Sequence, residues 1–422
     1  MNVYDVLKER GFIYQCTDEE NLRKILGEEK ISCYIGFDPT ADSLHVGSLV
    51  PIMSLVHMQR AGHKVIVVVG GGTAKVGDPS GKTEMRKMLS PEKIKENAEG
   101  LKRQLSRYIS FEDDKAIMVD NATWLDDLNY ISFLREIGRH FSVNRMLTAE
   151  SYKIRLEKGL SFLEFNYMIL QAYDFYVLAR DYNCILQMGG QDQWGNIVAG
   201  IDLIRRMLQR EAYGLTFPLI TNASGEKFGK TVAGAVWLDE KKTSPFDFYQ
   251  FWRNVEDADV KRFLGLFTLL PMEEVKYLGT LQPPLINRAK EILAYEVTKL
   301  THGREKARKA YLSAISQFGM SDPEGKIKTS SDIVEIKEES EDIIPSVDIK
   351  REELNLPISS LLVEKKVLSS KGEVKRLISQ NGISINGEKV SSFKSTLDEG
   401  AFKNGEAILK IGKKRIYKLK LI

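Results

Sequence analysis

The chain has 422 residues and a mass of 47.9 kDa, about three times the usual domain size of roughly 100–150 residues, so a single small module is excluded. Its 43% apolar and 28% charged residues are ordinary for a folded protein and exclude a wholly disordered or fibrous chain. The net charge of +3 is uneven, because residues 371–422 carry twelve Lys and Arg against five Asp and Glu, or +7, which leaves −4 for the rest.

The sequence lacks the features of membrane-spanning, secreted and disulfide-rich proteins. Its longest strongly apolar run, residues 65–69, is far shorter than the roughly 20 residues that cross a bilayer, and residues 1–10 show no secretory or Arg-rich transit pattern. Cys16, Cys33 and Cys184 are far apart and form no C-x-x-C motif, so neither a disulfide framework nor a zinc site is indicated. We expect a soluble protein of the reducing cytoplasm.

Short β-like runs alternate with longer amphipathic stretches through residues 1–244. The runs at 31–37, 65–70, 116–120 and 184–188 are apolar, and each is followed by a polar or Gly-containing turn. This alternation predicts an α/β domain with a parallel sheet. Because ligands bind at the carboxyl ends of such strands, we expect the functional site at these turns.

The rest of the chain predicts three further segments. From residue 245, aromatic and apolar residues recur at helical spacing, which predicts a helical domain over 245–330. Residues 331–353 are strongly acidic without an apolar period and predict a linker. Residues 354–422 contain a helical pattern and, at 382–387, an alternating run with an Asn-Gly turn typical of a β-hairpin, so a small α+β domain closes the chain. Its positive charge fits nucleic-acid binding and a solvated lysine surface equally well.

Two glycine-containing segments, 77–83 and 225–231, share features with a phosphate-binding P-loop. Both end in Gly-Lys-Thr, but only three residues separate their glycines. A P-loop needs four, so that successive backbone N–H groups surround the phosphates. A P-loop ATPase or kinase is therefore disfavoured.

A different kind of phosphate site fits the sequence better. Thr40 and His45 can donate to phosphate oxygens at the start of a predicted helix, whose N-terminus adds N–H groups and positive potential, and Gly47 lets a flat base approach the backbone. Lys227 and Lys230, three residues apart on a Gly-containing segment, can neutralise charge that develops on a polyphosphate. Singly, such a histidine is more often structural and such lysines are usually solvated; their occurrence together favours a nucleotide site.

One predicted helix carries three polar side chains on a single face. Ser161 and Glu164 form a capping-box pattern that starts the helix, and Tyr167, Gln171 and Asp174 follow at i, i+4 and i+7. On an isolated helix, such a stripe is more often a solvent-facing surface. The residues around it are mostly apolar, however, which indicates a helix buried on most sides and a stripe that faces a cavity.

Several of these motifs resemble the signatures of class I aminoacyl-tRNA synthetases. Residues 44–48, Leu-His-Val-Gly-Ser, resemble the HIGH signature, and residues 227–231, Lys-Phe-Gly-Lys-Thr, resemble the KMSKS loop. Three longer segments are similar to the bacterial tyrosyl-tRNA synthetase family, namely 34–45, 77–82 and 189–194. The basic segment from residue 370 to 389 is similar to an RNA-binding module shared with a small-subunit ribosomal protein, and this resemblance implies that the C-terminal charge binds RNA.

The resemblance implies a Rossmann-like catalytic domain, a helical domain on the anticodon side and a C-terminal RNA-binding domain. It also implies two in-line reactions. In the first, tyrosine attacks ATP to give tyrosyl-adenylate and pyrophosphate; in the second, the tyrosyl group passes to the 3′ end of tRNA. The implied partners are L-tyrosine, ATP with Mg²⁺, the tRNA and a second copy of the chain in a homodimer. Neither a membrane partner nor a structural metal is expected.

By the same resemblance, the site residues fall into three sets. Those expected to act on the phosphates in catalysis are Thr40, His45, Lys82, Arg86, Lys227 and Lys230. Those expected to bind tyrosine are Asp78, Tyr167, Gln171 and Gln193, with Tyr34 and Asp174 receiving the phenol hydroxyl. Those expected to bind ATP are Asp38, His45, Gly47, Ser48, Asp192, Lys227, Lys230 and Thr231. Ser48 replaces the second histidine of the HIGH signature and offers a shorter, uncharged donor.

Two alternatives remain open from the sequence. In the first, the catalytic domain is inactive and the C-terminal module binds structured RNA or the ribosome. Tyrosine-dependent exchange of pyrophosphate into ATP distinguishes this RNA-binding protein from an active synthetase. The other alternative keeps the fold and changes the substrate to tryptophan. Tyr34 and Asp174 disfavour tryptophan, because an indole offers a single N–H, and tryptophanyl enzymes ordinarily lack the terminal module.

Overall fold

The computed structural model describes residues 2–80, 89–157, 159–221, 228–231, 234–336, 346–365, 367–403, 405–412 and 415–422, with their side chains except those of Ile154, Lys230 and Thr231. These residues form two compact units. The first covers the chain to residue 304 together with residues 328–331, and the second covers residues 305–327 and the chain from residue 332. Over these ranges, no helix combines the length and the apolar character needed to cross a bilayer.

A six-stranded sheet forms the centre of the first unit. Its strands are β1 (Gln15–Cys16), β2 (Ser32–Phe37), β3 (Lys64–Val69), β4 (Ala116–Asp120), β5 (Cys184–Gly190) and β6 (Tyr213–Phe217), in the order β1-β6-β5-β2-β3-β4. The strands from β2 to β6 pair in parallel, whereas the edge strand β1 is antiparallel to β6. The four predicted strands and the parallel sheet are confirmed. The sequence did not indicate β1, which is two residues long, or β6, whose fully buried residues do not alternate.

Helices surround this sheet and make up most of the first unit after residue 244. They are α1 (Val3–Arg10), α2 (Glu19–Glu28), α3 (Leu49–Arg60), α4 (Pro91–Leu105), α5 (Ala122–Leu125), α6 (Tyr130–Glu136), α7 (Val143–Met146), α8 (Glu150–Leu156), α9 (Phe162–Asp181), α10 (Trp194–Leu208), α11 (Pro245–Arg253), α12 (Val260–Phe267), α13 (Met272–Leu278) and α14 (Ile286–His302). Two short strands, β7 (Lys230–Thr231) and β8 (Gly234–Ala235), pair antiparallel before α11. The helices from α11 to α14 lie in the segment predicted to be helical from residue 245. They belong, however, to the same compact unit as the sheet.

The register of the parallel strands brings their ends to one level. Phe37 of β2 pairs with Val69 of β3, and Val69 pairs with Asp120 of β4. The residues that follow these strands therefore lie side by side at the carboxyl edge of the sheet. The strand order reverses between β2 and β5, which is where open α/β sheets bind ligands.

The second unit contains helices and a five-stranded sheet. Its elements are α15 (Arg304–Phe318, which begins at the border of the units), β9 (Ser346–Ile349), α16 (Ile358–Glu364), α17 (Lys371–Ser379), β10 (Ile383–Ile385), β11 (Glu388–Lys389), β12 (Glu406–Ile411) and β13 (Arg415–Leu421). The sheet order is β11-β10-β12-β13-β9. The predicted hairpin is confirmed as β10 and β11, joined by Asn386 and Gly387 at φ values of 51° and 88°, as a type I′ turn requires.

The described residues near the end of the predicted linker form a strand. Residues 346–349 form β9, which pairs in parallel with β13 at the sheet edge. Ile349 is 1% exposed, and Val347 packs against the same apolar core. The acidic residues of 331–353 obscured this alternation in the sequence, whereas within the strand Ser346 and Asp348 are exposed and Ile349 is buried. The central part of the predicted linker, 337–345, lies outside the described residues.

Candidate active site

A cavity of about 450 Å³ opens at the carboxyl ends of β2, β3 and β5. The predicted site residues that line it are Tyr34, Asp38, Thr40, His45, Gly47, Ser48, Asp78, Tyr167, Gln171, Asp174, Asp192 and Gln193. The sheet and the start of α3 thus bring predicted tyrosine-binding and ATP-binding residues to one place. Lys82, Arg86 and Lys227 lie outside the described residues, as do the side chains of Lys230 and Thr231.

Helix α9 supplies the polar stripe that the sequence predicted. Its capping box is present, because the Ser161 hydroxyl accepts the Glu164 N–H while the Glu164 carboxylate accepts the Ser161 N–H. The guanidinium of Arg155 binds the same carboxylate at 2.9 Å, and both side chains are buried. This buried start fixes the helix, and all three members of the stripe reach the cavity.

Asp174 lies at the inner end of the cavity and is 4% exposed. Its two carboxylate oxygens accept hydrogen bonds from Asn121 Nδ2 at 2.9 Å and from Trp124 Nε1 at 2.7 Å. Burial raises the pKa of the Asp174 carboxyl to about 7, although the two donors oppose this effect. The site therefore holds a carboxylate with fixed orientation at a depth where a ligand hydroxyl would be fully desolvated.

Tyr34 presents a buried hydroxyl to the same cavity. The residue is 2% exposed, and none of the described residues forms a hydrogen bond with its hydroxyl oxygen. Burial raises its pKa well above the usual range, and the nearby charge of Asp174 adds to this effect. Because buried polar groups are rarely left without a partner, this hydroxyl indicates a ligand with a matching polar atom.

A second carboxylate network lies further along the cavity. Asp78 accepts hydrogen bonds from Gln193 Nε2 and from the Ser80 N–H, both at 2.8 Å. Burial raises the pKa of the Asp78 carboxyl to about 6, and the charge of Asp38 contributes. The hydroxyl of Tyr167 donates to Asp38 at 3.5 Å. Two acidic groups this close, with amide and hydroxyl neighbours, favour a cationic group such as an ammonium.

The other end of the cavity is formed largely by backbone at the start of α3. His45 Nδ1 accepts the Gly47 N–H at 3.0 Å, which fixes the ring and places the proton of the neutral imidazole on Nε2. A Cβ on Gly47 would lie 2.7 Å from His45 Cε1, so any larger residue would displace the imidazole ring. Such a helix start, with His45, Ser48 and Thr40 around it, suits phosphate oxygens.

Several residues of the site were missed by sequence reasoning. Asn121 follows β4 as Asp38 follows β2, so the rule that located Asp38 could have located Asn121 as well. Trp124 reaches Asp174 because it lies three residues after Asn121 on α5. Trp237 lines the phosphate end, where it forms an antiparallel bridge with His45 at a ring separation of 6.2 Å. No sequence pattern indicated Trp124 or Trp237.

A larger cavity, of about 660 Å³, shares Asp192 with the first. Its lining includes Trp194 and the cationic side chains of Arg139, Arg145 and Arg206. Arg145 pairs with Asp202 at 2.6 Å, so part of this positive charge is balanced. Glu150, Asp192 and Asp202 also line this cavity, so the formal charges of its three arginines are balanced.

The chain is similar to known proteins over its whole length. The family described as tRNA synthetases class I (W and Y) matches residues 26–319, and the tyrosine–tRNA ligase SYY-like C-terminal domain matches residues 335–419. The tyrosine–tRNA ligase of Clostridium tetani is 55% identical over 413 residues, which are 98% of this chain and 97% of the relative. That of Clostridium beijerinckii is 54% identical over 420 residues, which are 100% and 99% of the two chains.

A solved structure supports the same assignment. The C-terminally truncated mitochondrial tyrosyl-tRNA synthetase of Aspergillus nidulans aligns with a TM-score of 0.67 and 30% identity, covering 74% of this chain and 92% of that one. The sequence prediction of the family, the class I fold and the ligase activity is thereby confirmed. The chain belongs to the class I tRNA synthetases, in the family of the tyrosine–tRNA ligases.

Proposed function

We propose that this chain ligates L-tyrosine to its tRNA through tyrosyl-adenylate, and that its specificity for tyrosine resides in Tyr34 and Asp174. The observation that carries this proposal is the buried hydroxyl of Tyr34, which has no partner among the described residues and faces the same cavity as the Asp174 carboxylate. A phenol hydroxyl donates to Asp174 and accepts from Tyr34, which satisfies both groups.

The first reaction places the substrate between the two ends of the cavity. The acidic environment of Asp78 and Asp38, with Tyr167 and Gln171, holds the α-ammonium of tyrosine. A carboxylate oxygen of tyrosine then attacks the α-phosphorus of ATP in line, and the bond to pyrophosphate breaks. No covalent enzyme intermediate is needed, so catalysis consists of positioning and of charge stabilisation.

Charge stabilisation is assigned to the phosphate end. His45 Nε2–H and the Thr40 hydroxyl donate to phosphate oxygens, and Lys82, Arg86, Lys227 and Lys230 add the positive charge that the motifs predict. Mg²⁺ enters with ATP as part of the substrate. Within the described ranges, no three His, Cys, Asp or Glu side chains are placed to hold a metal, so phosphate and water oxygens supply its ligands in this proposal.

The second reaction transfers the tyrosyl group from the adenylate to the terminal ribose of tRNA, with AMP as leaving group. The larger cavity, with its arginines and Trp194, receives the 3′ end of the tRNA in this proposal, because it adjoins the catalytic cavity at Asp192. The basic second unit binds the body of the tRNA. On α17, Lys371, Lys375 and Arg376 are exposed and available for phosphate contacts.

A cytoplasmic homodimer is also part of the proposal. Many of the large apolar side chains that are 37–71% exposed fall within residues 130–163 of the chain: Tyr130, Ile131, Leu134, Val143, Leu156, Phe162 and Leu163. Exposed apolar surface of this kind is typical of an interface. Sedimentation equilibrium tests this point, since Phe162→Asp should shift the protein to a monomer. The three cysteines are unpaired, which suits a reducing compartment.

The test of the proposed function is pyrophosphate exchange with each of the twenty amino acids. We expect exchange with tyrosine alone, followed by charging of tRNA specific for tyrosine. Exchange with tryptophan instead would reassign the pocket, and RNA binding without any exchange would leave the second unit as the functional part.

The role of the second unit has its own test. Lys371→Glu combined with Arg376→Glu reverses the charge at two exposed positions. This double variant should weaken tRNA charging at moderate salt, because lysine and arginine contacts to phosphates contribute to RNA affinity through counterion release. Pyrophosphate exchange, which does not involve tRNA, should stay within about twofold of wild type. Lys328→Glu in the first unit is the matched control. Charging that is unaffected by the double reversal would remove this surface from the proposal.

A further inference from the structure

The ring of Phe228, in the lysine-containing segment, is held by a cluster of aromatic side chains. Its centroid lies 4.5 Å from that of Phe263, 5.0 Å from Phe251, 5.3 Å from Trp252 and 6.3 Å from Phe267. These residues come from α11 and α12. Separations of this size are those of favourable aromatic pairs, so the ring is in contact on several sides.

The cluster that holds Phe228 is itself tightly packed. Trp252, Phe263 and Phe267 are buried and contact one another at centroid distances of 4.9–6.0 Å. Close-packed aromatic groups of this kind do not shift independently. Phe228 therefore joins its segment to a rigid part of the first unit.

On its other side, Phe228 continues into backbone that packs against the phosphate end of the cavity. Gly229 has a φ of 87°, and a Cβ there would lie 2.5 Å from Val46 Cγ2. The carbonyl of Gly229 accepts the Val236 N–H at 3.0 Å, and the carbonyl of Val236 accepts the Val46 N–H at 3.0 Å. The backbone of Lys230 follows directly and pairs with Ala235. Residues 228–230 thus lie between the aromatic cluster and the turn that carries His45.

We propose that Phe228 is a positioning residue for the activation step. Its ring, anchored by α11 and α12, fixes the backbone of Gly229 and Lys230 against Val46, so that formation of the adenylate depends on a side chain that does not line the cavity. The inference rests on the proposed function for its kinetic consequence. A displacement of about 1 Å at a catalytic group costs up to roughly 10²-fold in rate, so loss of the anchor should slow chemistry more than binding.

The kinetic test compares Phe228→Ala and Phe228→Leu with Phe248→Leu. Phe248 is a matched control because it is buried on α11 and contacts Trp252 and His302 but not Phe228. We expect Phe228→Ala to lower the single-turnover rate of adenylate formation at least tenfold, with dissociation constants for ATP and tyrosine within threefold of wild type. Phe228→Leu should recover most of the rate. A rate for Phe228→Ala within twofold of wild type, or an equal loss in Phe248→Leu, would overturn the proposal.

A second measurement does not depend on catalysis. Limited trypsin digestion, with cut sites identified by mass spectrometry, should show at least fivefold faster cleavage after Lys227 or Lys230 in Phe228→Ala than in wild type and Phe248→Leu. Unchanged cleavage would show that the ring does not hold this backbone. Wild-type protein that fails to catalyse tyrosine-dependent exchange would refute the proposed function, whereas the digestion pattern would still decide whether Phe228 is an anchor.

Discussion

The two ends of the active-site cavity are built from different materials. At the tyrosine end, buried side chains bind one another, as in the pairs that Asp174 forms with Asn121 and Trp124. At the nucleotide end, backbone and glycine dominate: the Gly47 N–H holds His45, and Gly229 packs directly against Val46. The tyrosine end is thus a network of hydrogen-bonded side chains. The nucleotide end is lined mainly by backbone, and the sequence motifs predict that cationic residues join it.

This difference indicates that the tyrosine end serves mainly recognition and the nucleotide end mainly catalysis. Buried carboxylates held by fixed donors select a ligand by its hydrogen-bonding pattern, because any mismatch leaves a desolvated group unpaired. Main-chain N–H groups and ammonium groups discriminate less between ligands, but they stabilise charge that grows in the transition state. We therefore expect substitutions at the nucleotide end to alter rates and those at the tyrosine end to alter affinity and specificity.

The largest effect is expected from Lys230→Ala. Charge on the β- and γ-phosphates increases as pyrophosphate leaves, so the Lys230 ammonium should act mainly in the transition state. Loss of one such donor costs about 2.7–4 kcal/mol, or roughly 10²–10³ in rate. Single-turnover adenylate formation should show this loss with little change in the dissociation constant of ATP.

The matched control for Lys230 is Lys241→Ala, an exposed lysine eleven positions later, which should leave the rate unchanged. A large rise in the ATP dissociation constant with an unchanged maximal rate would contradict the expected division between the two ends. Lys230 would then hold the ground-state nucleotide only.

The next effect is expected from Asp174→Asn. An amide at this position cannot accept both the Asn121 and the Trp124 hydrogen bonds and presents its own N–H₂ to one of these donors. Loss of a hydrogen bond to a charged group costs about 1.5–3 kcal/mol, so kcat/KM for tyrosine should fall roughly 12- to 150-fold while KM for ATP changes little. Asp181→Asn, at the exposed end of the same helix, is the control. Equal losses for tyrosine and ATP would count against the assignment.

A smaller, pH-dependent effect follows from the raised pKa values of Asp174, about 7, and Asp78, about 6. In the free protein both carboxyls gain protons as the pH falls through these values, and the protonated forms bind a phenol hydroxyl or an ammonium less well. Tyrosine affinity should therefore rise with pH, by roughly 20-fold between pH 6 and pH 8, with about tenfold from Asp174 and about twofold from Asp78. Calorimetric titration at a series of pH values measures the dissociation constant of tyrosine. In Asp174→Asn, the part of the pH dependence near pH 7 should disappear. A wild-type tyrosine affinity that does not change with pH would contradict the assignment of Asp174 and Asp78 to tyrosine binding.

The sequence predicted most of the site because its chemistry is carried by short motifs. Spacing alone placed Tyr167, Gln171 and Asp174 on one helical face, and the structure puts all three in the cavity. The partners of Asp174 were not predicted because Asn121 and Trp124 are 53 and 50 residues away in the sequence and meet it only through the strand register. Such long-range pairs leave no periodic signal in a single sequence.

The same limit explains the differences in the fold. The strands β2, β3, β4 and β5 were predicted because buried parallel strands read as continuous apolar runs. By contrast, the sequence predicts a linker where β9 forms, because the strand pairs with β13 more than sixty residues away and lies in a segment of strongly acidic composition. The contact of Phe228 with α11 and α12 was likewise not predicted. The aromatic residues of these helices recur at helical spacing, but this pattern does not indicate which residue they contact.

The smallest effect, and the sharpest test of specificity, is expected from Tyr34→Phe. Sites that hydrogen-bond a substrate hydroxyl reject the analogue that lacks it by about 10⁴–10⁵, the upper value being that known for tyrosine over phenylalanine in this enzyme class. In Tyr34→Phe, Asp174 still accepts the phenol hydroxyl, so one of two partners remains. A neutral hydrogen bond contributes about 0.5–1.5 kcal/mol, and the preference should therefore fall roughly 2- to 12-fold, mostly through weaker activation of tyrosine. Ratios of kcat/KM for the two amino acids measure this, with Tyr14→Phe as the control, since Tyr14 is 54% exposed. A preference identical to that of wild type would mean that the buried Tyr34 hydroxyl does not contact the substrate, and discrimination at this end would then belong to Asp174 alone.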